Sequence, residues 1–217
     1  MDFQIVLDNA PLLVQAGITT VWIFVVTAIL GTIFGSVIAV LRQFGPKPIA
    51  RFCQVYSWFL RCVPALLVLF YAFYGLPEMG IFLSPDSAAI VGLTVSTSAY
   101  MSETFRCGLL ALRRDQLDAA RSLGLPFSHI LRRIVLPQAA VVVLPPWTSN
   151  LILLLKGTSL ASVVAVAEMT GVTYRMISTT YRPYPFLITS AIFYLALVTG
   201  ITIAFRHLER RTAGSWR

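Results

Sequence analysis

The residues of this chain that could do chemistry are the few charges set inside apolar runs. Glu103 and Arg106 lie three residues apart in a stretch that is otherwise apolar or hydroxylic. That spacing puts them on one helix face, so they can form a structural pair. Glu103 can also present its carboxylate to a passing ammonium group. Charges at membrane depth cost roughly 2.5–3.5 kcal/mol on insertion scales and turn towards a cavity or a partner. Arg61 can snorkel to an interface or hold a substrate carboxylate. Lys156, with Thr158 and Ser159, follows a Pro145-Pro146 pair, and Tyr100 and Asn150 complete a polar set in apolar surroundings. Glu168 reads equally as an ordinary surface residue, as a contact for an outer partner or as part of an outer gate.

None of these residues makes an enzyme. The sequence has no HExxH, no paired carboxylates and no Ser/His pair at helical spacing, so no catalytic residue is assigned. Cys53, Cys62 and Cys107 have no metal-ligand spacing and read as small apolar packing residues. His129 and His207 are far apart, and no metal site is expected. The chain lacks a GxxxxGK[ST] phosphate loop. No cofactor is expected here, and any ATP and magnesium would be bound by another chain.

The elements that position these residues are membrane spans. Of 217 residues, 57% are hydrophobic and 12% charged, about half the charge of a typical soluble domain. Five apolar runs are long enough to read as spans, at roughly 17–41, 55–76, 87–112, 138–155 and 185–205. Arg61 and Pro64 interrupt the first third of the second run, and Pro145-Pro146 is expected to break the fourth. Gly31 and Gly35 form a GxxxG pattern, which serves either a dimer or close packing within the chain. Trp22, Trp58 and Trp147 read as interfacial or lipid-facing. Residues 156–184 form an outer segment, with 158–171 too short to span and 172–183 polar and loop-like. The whole chain reads as a single all-α transmembrane domain.

The net charge of +8 comes from short basic loops, which points to the positive-inside rule rather than to nucleic acid. Thirteen of the seventeen basic residues fall on one side when the amino terminus is outside and the carboxy terminus cytoplasmic. They lie around Arg42–Arg51, in the 113–137 loop with Arg106, and in the tail from Arg206.

That cytoplasmic loop is the longest charged insertion. From Asp118 to Pro137 its apolar residues keep helical spacing on either side of a turn at Leu125-Pro126. Asp118 suits a helix start. Ala119 and Ala120 allow close approach to a partner groove. Gly124 permits a turn, and Pro126 stops the first helix.

Asp118-Ala119-Ala120, then Gly124, then Ile134-Val135-Leu136-Pro137 resembles the EAA loop of ABC importer permeases. Tyr100-Met101-Ser102-Glu103 with Arg106 and Gly108 is similar to the preceding span of the polar amino acid (histidine/glutamate/glutamine type) permeases. Leu136-Pro137-Gln138-Ala139, Pro145, Asn150 and Leu155-Lys156-Gly157-Thr158-Ser159-Leu160 are similar to the segments after it. Phe59-Leu60-Arg61, Pro64 and Phe73-Tyr74-Gly75-Leu76-Pro77 are similar to the second span.

The resemblance implies a five-span type I importer core in the bacterial inner membrane, with a coupling helix between spans three and four. It implies pairing with a second permease, identical or related. It also implies docking of Asp118, Ala119, Ala120, Gly124, Leu125 and Pro126 on one of two ATP-binding cassette subunits, and delivery of an amino acid by an extracytoplasmic binding protein. Three positions depart from the family pattern. Asp118 replaces Glu, Asp115 replaces Gly, and Arg61-Cys62-Val63-Pro64 replaces RGTP near the expected path. A permease for another small solute, or an ion-driven transporter, are the alternative readings.

Overall fold

The structure is a computed structural model that describes residues 4–110, 120 and 122–214. Its described elements are helices in series. They are α1 (Gln4–Asp8), α2 (Ala10–Phe44), α3 (Lys47–Cys62), α4 (Ala65–Phe70), a π-turn (Tyr71–Gly75), α5 (Leu76–Glu78) and α6 (Pro85–Leu110). After the loop come α7 (Phe127–Ile130), a second π-turn (Leu131–Val135) and α8 (Leu136–Gly157). A 3₁₀ stretch (Thr158–Val164), α9 (Met169–Thr180) and α10 (Pro183–Gly214) complete the chain.

Helix α2 and helix α6 form the centre of the bundle. Along α2 the buried positions are Leu13, Ala16, Gly17, Thr20, Ile23, Thr27, Gly31, Gly35 and Ala39, a narrow stripe of mostly small residues at three- and four-residue intervals. Small residues let helix backbones approach where lipid supplies no hydrophobic drive between helices. A Cβ at Gly31 would lie 2.8 Å from Thr97 Cγ2, and one at Gly35 would lie 2.5 Å from Met101 Cβ and 3.1 Å from main-chain atoms of α6. The GxxxG face is therefore used inside this chain. Gly35→Val should lose about 1–3 kcal/mol through overpacking that α6 backbone cannot relieve. A drop in thermal midpoint and in monodisperse yield in detergent would show it.

Helix α6 turns Thr94, Ser96, Thr97, Ser98, Ser102 and Thr104 into the protein. Their hydroxyls join helices. The Tyr56 hydroxyl lies 2.7 Å from Ser98 Oγ, Ser57 Oγ lies 2.8 Å from Ser102 Oγ, and Asn150 Nδ2 donates to Thr104 Oγ1 at 2.9 Å. Such interhelical bonds hold helices together in a medium that offers polar groups no other partner.

By length and apolarity three described helices can cross a membrane: Ala10–Phe44, Pro137–Val164 and Pro183–Glu209. The pair Lys47–Cys62 and Ala65–Glu78 makes a fourth if taken as one span. Helix α6 has the length, and its buried hydroxyls lower its apolarity.

Three expectations are corrected, while the break expected near Arg61 and Pro64 is found: α3 and the Ala65–Glu78 stretch meet at 106°. Proline 64 cannot donate to the preceding turn, and Val63 before it is extended, as a pre-proline residue prefers. The Pro145-Pro146 pair does not break α8, which runs through both prolines. Just after the prolines, Thr148 Oγ1 donates to the Leu144 carbonyl and Ser149 Oγ to the Pro145 carbonyl.

The stretch read as a loop after residue 171 is mostly helix α9. Met169, Val172, Thr173 and Met176 are its buried face, packed with Leu13, Ala16 and Phe186. Finally, Trp147 is half-buried, donating to Thr32 Oγ1 at 3.1 Å and meeting Phe205 edge-on. Trp22 and Trp58 are exposed.

Candidate functional site

The candidate path residues separate into three places. At the first, Glu103 on α6 gathers arginines from three helices. Arg42 Nη1 from the end of α2 lies 2.6 Å from Glu103 Oε2. Arg61 Nη1 from the end of α3 lies 3.6 Å from the same oxygen. Arg106 donates to Glu103 Oε1 through Nε at 3.1 Å and also through Nη2. One carboxylate thus faces three guanidiniums, and both of its oxygens are engaged. A substrate ammonium would have to displace an arginine to reach it. The sequence named the Glu103–Arg106 pair. Arg42, 61 residues from Glu103, gave no local signal. Tyr100 hydroxyl reaches the Arg61 carbonyl at 3.4 Å, linking this cluster to the next place.

The second place is a cavity of about 370 Å³ among α4, α6, α8 and the 3₁₀ stretch. Tyr100, Asn150, Lys156 and Ser159 line it, together with Ser96 and Thr97. The last two were not singled out, although Ser96, Tyr100 and Glu103 share one helix face by their spacing. Lys156 is exposed at the end of α8, and no ion pair to it is found among the described residues. An ammonium beside hydroxyls and an amide suits a carboxylate-bearing solute of modest size.

The third place holds Thr158 and Glu168, both fully buried. Neither lines that cavity. Glu168 is the N-cap of α9, accepting from Thr170 N at 2.9 Å and Gly171 N at 2.7 Å. The Tyr194 hydroxyl of α10 donates to it at 2.9 Å. Burial pushes its carboxyl above the usual range, while the two backbone N–H groups and the Tyr194 hydroxyl pull it back. The expectation of a surface or outer-partner position for Glu168 is corrected. The helix start needs a side-chain acceptor, and Glu168 supplies it from inside the fold.

In the loop, Asp118 and Ala119 lie outside the described residues. Gly124 is left-handed, with φ of 70°, and Leu125 N donates to the Ala120 carbonyl at 3.2 Å. That six-to-one bond across a left-handed glycine is a Schellman ending. The Pro126 carbonyl then accepts from His129 N and Ile130 N, opening the next helix. Ala120 is buried against Ile130 and Val135. Its methyl supports the loop itself and is not free for a partner. Leu123 is 78% exposed at the tip. Ala120, three residues earlier, is buried, so the two differ in exposure although helical spacing puts them on one face.

Comparison with known proteins agrees with this fold. Residues 31–214 match the family described as binding-protein-dependent transport system inner membrane component. The probable glutamine ABC transporter permease protein GlnM of Bacillus subtilis is 32% identical over 216 residues, covering all of both chains. The probable glutamine permease GlnP of the same organism is 35% identical, covering 89% of this chain and 90% of its own. The arginine transport system permease ArtQ of Bacillus subtilis is 29% identical over 97% of each chain. The crystal structure of an amino acid ABC transporter with histidines superposes with a TM-score of 0.89 at 28% identity, covering 97% of this chain and 99% of that one. The chain belongs to the family of binding-protein-dependent transport system inner membrane components, the multi-pass permease subunits of ABC importers.

Proposed function

We propose that this chain is the permease of an ATP-driven importer of polar or charged amino acids. The observation that carries the substrate class is the end-to-end likeness to glutamine and arginine permeases. The cavity supports it, because Lys156 offers an ammonium for a carboxylate while Ser96, Thr97, Tyr100 and Asn150 offer neutral hydrogen bonds. Five spans, counting α6 through its buried hydroxyls and the bent Lys47–Glu78 pair as one, put the amino terminus outside and the carboxy terminus in the cytoplasm, as the basic loops favour. The Asp118–Pro137 loop then docks on an ATPase subunit that holds the ATP and magnesium. A second permease and an extracytoplasmic binding protein complete the assembly. The chain itself performs no catalysis.

The path runs by the Lys156 cavity to the Glu103 cluster, which acts as a clamp on its inner side rather than as an ammonium site. The first test is ATP-dependent uptake by the assembled transporter in vesicles, with the ligand identified on its binding protein. Uptake without ATP, or binding of a solute that is not an amino acid, would overturn the reading. Lys156→Met should reduce uptake roughly tenfold or more, the size of a lost charge-assisted hydrogen bond. It should leave the thermal midpoint unchanged, since the side chain is exposed. Normal uptake by this variant would remove Lys156 from the path.

A further inference from the structure

Helix α3 has two different faces. One carries Lys47, Arg51, Gln54 and Trp58, which with Arg42 of α2 and Arg106 of α6 line an open groove of about 780 Å³. The opposite face carries Phe52 and Tyr56, which with Leu30, Phe34 and Ile38 line an apolar cavity of about 390 Å³. Beyond α3 the chain turns by 106° into a stretch whose Leu69 packs against Gly92 of α6. The basic first turns of α3, beside an apolar face and the exposed Trp58, suit the boundary between headgroups and acyl chains, with the bent pair still counted as one span.

The charge in the groove is unbalanced. Arg42 and Arg106 share the single carboxylate of Glu103 with Arg61. Lys47 and Arg51 are exposed, and no carboxylate lines the groove with them. The excess positive charge needs an anion, and the apolar cavity on the other side of the same helix needs hydrocarbon. We propose that this groove binds the phosphate headgroup of an anionic phospholipid, with an acyl chain against the apolar face of α3. The proposal uses only the membrane location of the chain and is independent of the transported solute. Basic pockets between helices at a membrane surface suit such headgroups, and each Lys or Arg contributes about a factor of five to the attraction.

The test uses the full chain with its co-purifying transporter subunits in nanodiscs. The nanodiscs carry phosphatidylcholine doped with brominated phosphatidylglycerol or brominated phosphatidylcholine, and quenching of Trp58 is read as the difference from Trp58→Phe. Native mass spectrometry counts retained lipid. Stronger quenching by the glycerol lipid is expected, with retention falling roughly thirtyfold in Lys47→Gln/Arg51→Gln. Those two side chains lie on the exposed face, so folding should survive, and the thermal midpoint checks it. Equal quenching by the two lipids would overturn the proposal, as would unchanged retention in a folded double variant. Full competition by millimolar inorganic phosphate would assign the groove to a free anion instead. Quenching seen with the chain alone and abolished by its partner subunits would assign it to a protein contact, and in both cases the lipid site would be discarded.

Discussion

Glu103→Gln is expected to destabilise the protein by about 2 kcal/mol. Removing one member of a buried ion cluster costs roughly 3–5 kcal/mol, because the charges left behind lose their counterion. Here the side chains are 17–38% exposed, so solvent screens part of that loss. The effect is one-sided. An amide in place of the carboxylate leaves Arg42, Arg61 and Arg106 facing one another. Losing an arginine instead reduces the excess of positive charge. Arg61→Gln should therefore be close to neutral, since its guanidinium is the most exposed and the most distant at 3.6 Å. In Arg42→Gln/Glu103→Gln part of the loss should return, as a double-mutant cycle on thermal midpoints would show. If Glu103→Gln is as stable as the parent while transport fails, Glu103 acts on the solute and the clamp reading is lost.

The second large effect is expected at the loop tip. Leu123→Asp should leave the fold intact, because the side chain is 78% exposed, yet weaken association with the ATPase subunit by roughly thirtyfold or more. That is the scale of one interface hot spot of about 2 kcal/mol. Its neighbour fails by a different route. Nothing lies within 4 Å of a Cβ added at Gly124, and its φ is 70°. Size is therefore tolerated there and conformation is not. Gly124→Val should distort the turn at a cost of about 1–2 kcal/mol, whereas Gly124→Asn should keep it. Co-purification of the ATPase with all three variants at parental levels would remove this loop from the coupling interface.

Local signals in the sequence carried the helical class, the turn at Gly124-Pro126 and the Glu103–Arg106 pair. Each depends on neighbours within about four residues, where spacing dictates contact. What needed the folded chain were contacts between distant segments. Arg42 reaches Glu103 only because small residues along α2 let it lie close against α6. Glu168 seemed placed for the outer surface until α9 proved to be a helix that requires a cap. Its buried positions 169, 172, 173 and 176 do follow helical spacing, but the threonines and Arg175 masked the pattern. Pro145-Pro146 misled for a related reason, since proline breaks a helix in water more readily than in a packed bundle where other groups satisfy the freed carbonyls.

Helix α2 also sets a condition on the surrounding bilayer. Its 35 residues extend about 52 Å, and apolar side chains from Leu12 to Phe44 remain exposed along that length. A hydrocarbon layer is about 30 Å thick. The surplus must be absorbed by inclination of the helix, by local thickening of the lipid or by cover from a neighbouring subunit. Membrane thickness is thus a variable to which this subunit's posture is tuned, and lipids of different chain length would shift that posture without altering a single side chain.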